Sequence, residues 1–400
     1  MNFLENNYMI SEWNTISSGK IFALQQSKRP NGELWERAVR SPGVRLIIRT
    51  NDNKFVLSKE HRNELGSEDY RLPGGKVFDT LDEYLEFLSS GKNIEEAARN
   101  AAIKEASEEV GVINPNQVKL VYKSVAGSTV KWDLYVFEIF DFEIADQDLK
   151  DSEVIEPVIL SPSDILGLIN SANFNEDRMV PVLLRYFSRL DREYWGKKHL
   201  KYKSQGLSDK PSKFLLETKE YIKSRDRVLE LGCGAGQDAI SIAEMGCQVM
   251  ALDINIDLAR KLYESKKIKA NIAYEEADIS EGVGSNTHGK FDVVYANLSL
   301  HYFKQNQTIK IFNDIYDILK PGGRLICMLN SKDDPEFNQG DKIEDDYFEV
   351  GGIAKRFFSE NSLEPYVANF ETIILDNKGS SFKDDLKGNL NMIRFVGIKK

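Results

Sequence analysis

The chain has 400 residues, 41% of them hydrophobic, and a formal net charge of −10; that length exceeds what one core usually supports, so two domains are expected, and the acidic balance argues against a nucleic-acid partner. Its three cysteines, Cys233, Cys247 and Cys327, lack metal spacing, which speaks against zinc and against a disulfide framework. No apolar run approaches the roughly 20 residues that span a bilayer, and residues 1–8 have neither a basic region nor a leader core, so a cytoplasmic protein without a membrane partner is expected.

Residues 44–49 and 54–58 are apolar runs flanking Asn51-Asp52-Asn53, a pattern that predicts a hairpin. Leu72-Pro73-Gly74-Gly75 then reads as a turn after a strand. Residues 79–91 have the apolar spacing of an extra helical turn or two. In the run from Glu96 to Val112, helical periodicity puts Glu105, Glu108 and Glu109 on one face, and Gly111 is placed for a left-handed C-terminal cap. Like charges at this spacing cost roughly 0.2–0.5 kcal/mol per pair. A solvated acidic face is the ordinary explanation of such a helix. The preceding glycine turn points instead to a platform for a hard cation such as Mg2+, which binds carboxylates and substrate phosphates together.

Residues 118–123 and 134–140 predict two further strands, and residues 181–186 the end of a helix closing the first domain. The boundary is expected near Leu190, giving domains 1–190 and 191–400. Residues 191–212 are polar, basic and interrupted by breakers, the composition of a linker. Tyr194, Trp195 and Tyr202 are costly to leave in water, so this segment is expected to be part linker and part lid.

The second half opens on an apolar strand, residues 227–231, running into Gly232-Cys233-Gly234-Ala235-Gly236 and a helical stretch. Such a turn lets backbone approach a ligand and aims helix N–H groups at it. Dinucleotide-binding folds use nearly the same turn, but Gly232, Gly234 and Gly236 are spaced more tightly than that pattern. A second strand, residues 248–253, ends in Asp253, an acid suited to a ribose diol. Ala277-Asp278-Ile279, then residues 291–302 with Asn297 and His301, then Leu319-Lys320-Pro321-Gly322-Gly323 follow in order.

In the first half, Gly75, Glu96, Glu105, Glu108, Glu109 and Gly111 resemble the Nudix hydrolase box, with the seven-residue gap from Glu96 to Lys104 kept. The sequence departs from the family in the insertion between Gly75 and Glu96, in Lys104 where the family has arginine, and in the small Ala106 at an apolar position. Lysine cannot reproduce the planar fork of arginine; hydrolase activity is nonetheless expected of the remaining carboxylates. The resemblance implies a mixed-sheet α/β/α sandwich in which Glu105, Glu108 and Glu109 ligate Mg2+ (or Mn2+) and act catalytically on a nucleoside-diphosphate-type small molecule. Which carboxylate is the base stays open. Glu60-His61-Arg62 resembles the strand and basic loop ahead of the box in nucleoside-diphosphate-sugar pyrophosphatases, and Glu153 or Glu156 would be a further carboxylate. A homodimer through this domain is also expected.

The succession over about residues 225–330 is similar to class I S-adenosylmethionine-dependent methyltransferases, whose fold is a Rossmann-like, doubly wound α/β sheet. The resemblance implies that Glu230, Gly232, Gly234 and Gly236 line the methionine and ribose end of S-adenosylmethionine, Asp253 accepts from the ribose hydroxyls and Asp278 faces the adenine. Asn297 and His301 would point toward the transferable methyl, with His301 in a catalytic role beside a small-molecule methyl acceptor. For Asp253 the alternative is a helix N-cap, and for His301 a packed core histidine. A bifunctional enzyme is therefore expected. The alternatives are a methyltransferase whose first domain only senses nucleotide or acts as a scaffold, and a nicotinamide site at the glycine turn.

Overall fold

The computed structural model describes residues 13–62, 66–149, 154–206, 210–266, 271–283, 290–350, 352–381 and 390–400. They fall into two units divided between Phe187 and Ser188. In chain order the first unit holds β1 (Asn14–Ser18), β2 (Phe22–Lys28), β3 (Leu34–Arg40), β4 (Gly43–Arg49), β5 (Phe55–Arg62), β6 (Ser67–Arg71), α1 (Leu81–Ser89) and α2 (Ile94–Val110). It continues with β7 (Val112–Ile113), β8 (Gln117–Ser124), β9 (Val130–Lys131), β10 (Leu134–Phe140), β11 (Glu143–Ile144), β12 (Ile155–Leu160), α3 (Pro162–Asn170) and the start of α4 (Val180–Ser204).

The central sheet of this unit runs β12-β5-β4-β10-β8, with β6 also on β5. It is mixed: β4 and β10 pair in parallel, and the other pairings are antiparallel. The expected hairpin and the strands at 118–123 and 134–140 are all present. Helix α2 is capped by the Asn93 side chain at its start and by left-handed Gly111 at its end. Its Ala98, Ala102, Ala106 and Val110 recur every fourth residue and bury against Val44, Leu46, Ile48, Tyr135, Phe137 and Ile139. Because successive strand residues alternate faces, Phe55 points away from that helix, where it meets the rings of Tyr186 and Phe187 on α4 at 6.0 and 5.2 Å. Helices thus cover both faces of a mixed sheet. A separate four-stranded sheet, β1-β2-β3-β9, packs Ala23 and Val39 against Leu81 and Tyr84 of α1, the helix expected between residues 79 and 91.

The second unit holds the rest of α4, then α5 (Lys213–Thr218), β13 (Arg227–Leu231), α6 (Gln237–Glu244), β14 (Gln248–Asp253), α7 (Asp257–Lys266), β15 (Ile272–Glu276) and β16 (Phe291–Asn297). After these come α8 (Gln305–Ile318), β17 (Leu319–Leu329), β18 (Asp341–Glu344), β19 (Tyr347–Val350), β20 (Ile353–Arg356), α9 (Glu360–Val367), β21 (Phe370–Ser380) and β22 (Leu390–Lys399). The seven-stranded sheet is ordered β15-β14-β13-β16-β17-β22-β21, parallel through β17 and antiparallel beyond it. The order reverses direction between β13 and β16, and open α/β sheets bind ligands outside the carboxyl ends of the strands at such a switch point. Two apolar clusters fill the unit, one around Leu229, Val294, Phe312 and Phe395 and the other around Phe214, Val228, Ile242 and Tyr295.

Two expectations need correction. Residues 181–186 begin a helix rather than end one, and residues 191–204 are the continuation of that helix, not a linker. Tertiary contacts override the polar composition there: Arg192 pairs with Glu276 and Trp195 packs on Tyr302. Among the described residues, no helix is long and apolar enough to cross a membrane.

Candidate functional site

In the first unit the turn from Leu72 to Gly75 is held along β4: the Val44 amide donates to the Gly75 carbonyl and the Leu46 amide to the Pro73 carbonyl, both at 2.9 Å. Gly74 has φ +146°, and a Cβ there would stand 2.3 Å from the Val44 carbonyl oxygen; a Cβ on Gly75 would stand 2.1 Å from Glu105 Oε1. Only glycine fits at position 74, and a side chain at position 75 would displace the Glu105 carboxylate. The freed Gly74 amide donates to Glu109 Oε2 at 2.8 Å. Burial, opposed by that amide and reinforced by Glu105, pushes the Glu109 carboxyl up to about 8.

Glu105 and Glu109 therefore meet at the turn, while Glu108 is drawn aside into an i,i+4 pair with Lys104 at 3.5 Å. The three-carboxylate platform is thus brought together as a pair. Among the described residues, no three His, Cys, Asp or Glu side chains converge to hold a metal ion. Two adjacent carboxylates still fit Mg2+, which keeps several waters and takes one or two protein carboxylates. The buried, proton-holding Glu109 is the kind of group that a cation would relieve.

Glu60 and Arg62 lie on β5, in a hairpin with β6 rather than a loop. Burial raises the Glu60 carboxyl, and Arg62 and Arg71 stand 3.4 and 3.7 Å from it. Arg71 also approaches Glu176, a buried carboxylate paired with Arg45. Of this cluster the sequence pointed to Glu60 and Arg62 and missed Arg45, Arg71 and Glu176, because the members come from four separate segments. Glu156 sits on β12 in an exposed pair with Lys59 at 2.9 Å. Glu153 lies outside the described residues.

In the second unit the turn after β13 carries Gly232, Gly234 and Gly236 at φ +74°, +55° and +81°. A Cβ on Gly232 would come within 2.3 Å of the Ser299 Cβ, and one on Gly236, the N-cap of α6, within 2.9 Å of the Ala259 Cβ. Around this turn several polar atoms are buried with no hydrogen-bond partner: Glu230 Oε2, Gln237 Oε1 and Asn297 Oδ1. Glu230 is only 3% exposed, and burial, together with Asp238 and Asp253, pushes its carboxyl well above the usual range. Buried polar atoms are ordinarily paired, and each exception needs a reason. A polar ligand seated at the carboxyl ends of β13 and β16 would supply one.

Asp253 ends β14 and accepts from the Gly234 amide at 2.8 Å and from the Asn255 amide at 3.0 Å. It ties the glycine turn to the next strand and is not the N-cap of α7. Asp278 caps the short 3-10 turn Ile279–Glu281 by accepting from the Ser280 amide at 2.9 Å. Asn297 donates weakly to Asp238 at 3.4 Å. His301 is 1% exposed with its ring 4.3 Å from that of Tyr302, a packed position deeper than the sequence implies for a group facing a methyl acceptor.

Residues 228–323 match the family model of a methyltransferase domain. Two curated relatives are the malonyl-[acyl-carrier protein] O-methyltransferase of Enterobacter lignolyticus (strain SCF1), 32% identical over 34% of this chain and 51% of its own length, and the cypemycin N-terminal methyltransferase of a Streptomyces species, 32% identical over 28% and 44%. The second unit carries a class I S-adenosylmethionine-dependent methyltransferase domain. The chain spans about half the length of the curated relatives it matches. Two solved structures also overlap it: an S-adenosylmethionine-dependent methyltransferase from Methanosarcina mazei, 20% identical, covering 45% of this chain and 95% of its own with a TM-score of 0.40, and an ADP compounds hydrolase, 18% identical, covering 50% and 95% with a TM-score of 0.35. At such TM-scores neither overlap bears on function.

The orphaned atoms and the glycine cradle of the methyltransferase domain suit the polar methionine and ribose ends of S-adenosylmethionine. The sequence missed two contributors. Asp238, 2% exposed, accepts from the Ser212 amide and hydroxyl at 2.7 Å each and from Tyr295 Oη at 2.9 Å, locking the start of α6. His199 on α4 is the other: a Cβ on Gly234 would meet its Nε2 at 3.5 Å. Nothing in the polar run around residue 199 marks it, because its role depends on where α4 packs. Trp195, on the same helix, lies edge-on to Tyr302 at 4.9 Å, so the aromatic part of the segment packs beside the His301-Tyr302 stretch.

Proposed function

We propose that the chain is a bifunctional enzyme: the second unit transfers a methyl group from S-adenosylmethionine to a small-molecule acceptor, and the first hydrolyses a nucleoside diphosphate linked to another moiety with the help of Mg2+ or Mn2+. The first part rests on one observation above the rest, the set of unpartnered buried atoms on Glu230, Gln237 and Asn297 around a glycine turn at the switch point of the sheet. Bound there, S-adenosylmethionine supplies an activated methyl group on a sulfonium. Glu230 and the turn glycines would hold its methionine and ribose end, Asp253 the ribose hydroxyls and Asp278 the adenine. Asn297 and the His301 segment would shape the side from which the acceptor enters. These residues orient the reactants and exclude water, and in-line positioning of this kind supplies much of a displacement's rate.

For the first unit, the reading is supported by Glu105 and Glu109 converging on the Gly74-Gly75 turn and by the flanking Arg62 and Arg71. A divalent cation at that pair would neutralise a diphosphate. The two carboxylates would hold it, and the arginines would orient the phosphates. A second reading, a nucleotide-sensing or scaffold unit without turnover, is favoured by the diversion of Glu108 to Lys104.

Incubating the full chain with ADP-ribose or UDP-glucose, with and without Mg2+, separates the two. Metal-dependent release of a nucleoside monophosphate supports the hydrolase. Binding without turnover supports the sensor. Mass spectrometry of small molecules that co-purify with the chain would identify the methyl acceptor class.

A further inference from the structure

The portion of α4 in the second unit lies across the carboxyl ends of four strands of the parallel sheet. Arg192 pairs with Glu276 at the end of β15. Its carbonyl accepts from Asn255 Nδ2, just past β14, at 3.0 Å. Gly196 faces the same amide so closely that a Cβ there would stand 2.7 Å from Asn255 Nδ2. Trp195 packs on Tyr302, just past β16, and stands 6.0 Å from the His199 ring. His199, 8% exposed, lies over Gly234, whose amide is already committed to Asp253. Its positive charge also counteracts the upward push that burial gives the Asp253 carboxyl.

We propose that His199 is a further cofactor-binding residue, a lid-borne imidazole that closes over the glycine turn and hydrogen-bonds the ribose diol held by Asp253. The inference rests on reading Asp253 as the ribose acceptor. A ligand hydroxyl on that carboxylate must lie against the Gly234 backbone, and His199 Nε2 is the polar side-chain atom that meets Gly234 from above. A ring N–H of His199 can donate to a hydroxyl that itself donates to Asp253. A methyl group on Gly196 would crowd the Asn255 amide that bonds the Arg192 carbonyl, shifting the anchor of the segment without touching the ligand.

The test is calorimetric titration of the full-length chain with S-adenosylmethionine and with adenosine, comparing the natural sequence with His199→Ala, His199→Gln and Gly196→Ala. His199→Ala is expected to weaken both ligands about tenfold, the worth of one buried hydrogen bond. His199→Gln, which keeps a donor and an acceptor, should recover part of the loss, and Gly196→Ala should weaken both ligands in the same direction. Equal or tighter binding by His199→Ala would overturn the proposal, because the imidazole would then only occupy the ligand's place. A loss confined to S-adenosylmethionine would overturn it too, by putting His199 at the methionine end. If His199→Ala fails to fold, Gly196→Ala decides alone: unchanged affinity for both ligands refutes the lid contact. Failure of the natural sequence to bind S-adenosylmethionine would instead refute the methyltransferase reading on which the inference stands.

Discussion

At the scale of the residue, Glu109 carries a titration signature that can be measured. Its carboxyl is raised from 4.5 to about 8, chiefly by burial. A carboxyl raised above its unfolded value prefers its proton in the folded state, so the stability it contributes is full below about pH 4.5 and is lost as pH rises through about 8. At about 1.4 kcal/mol per pH unit the upper bound is roughly 5 kcal/mol, and partial solvent access will reduce it. Glu109→Gln mimics the protonated acid, so melting of the variant and the natural chain should coincide below about pH 4.5, diverge progressively between about pH 4.5 and 8, and keep a constant gap above that, with the variant the more stable. Millimolar Mg2+ at the higher pH should narrow the gap by stabilising only the natural chain. A gap that Mg2+ leaves untouched would remove the metal from this pair. In a hydrolysis assay Glu105→Gln and Glu109→Gln should abolish turnover, whereas Glu108→Gln should cost several-fold at most, because Glu108 is paired with Lys104. The sequence places all three carboxylates on one face. It does not show which of them touch the turn, where Glu105 and Glu109 do.

At the scale of the element, α2 was foreseeable from Gly111 and its glutamate run, and its alanine stripe accounts for how it packs. Ala98, Ala102 and Ala106 are fully buried and small, allowing the helix to lie close to β4 and β10. Ala106, small for the box it resembles, is part of that close approach. Ala106→Leu should therefore destabilise the first unit by about 1–3 kcal/mol through overpacking and reduce hydrolysis by lifting Glu105 and Glu109 from the turn. Denaturant titration and the same assay check both effects. The second half of α4 was not foreseeable. Its glycine, lysines and tyrosines match a linker in composition, and the helix is held by Arg192 to Glu276, Asn255 to the Arg192 carbonyl and Trp195 to Tyr302. Most helical stability in proteins comes from packing of this sort rather than from propensity, and a single sequence does not display it. The glycine turn after β13 is the opposite case. Its three positive φ angles and its contacts at Ser299 and Ala259 demand glycine locally, so the requirement is written in the sequence itself.

At the scale of the whole molecule, two sheet systems carry two candidate sites, divided between Phe187 and Ser188. Chains of this kind need not melt in one step. Scanning calorimetry should show a transition that S-adenosylmethionine raises and another that it leaves in place, since a ligand at about 100 times its Kd stabilises the state that binds it by about 2.7 kcal/mol. A uniform shift of all the heat absorption would mean that the units unfold together. The central claim is that the crevice at β13, β14 and β16 holds S-adenosylmethionine, and the measurement that tests it most directly is calorimetric titration of the full-length chain with that cofactor and, separately, with NAD. Saturable binding of S-adenosylmethionine is expected, with no heat from NAD and at least a tenfold loss of affinity in Asp253→Asn, since each charge-assisted hydrogen bond is worth about 1.5–3 kcal/mol. Binding of NAD in its place, or S-adenosylmethionine affinity indifferent to Asp253→Asn, would contradict the account.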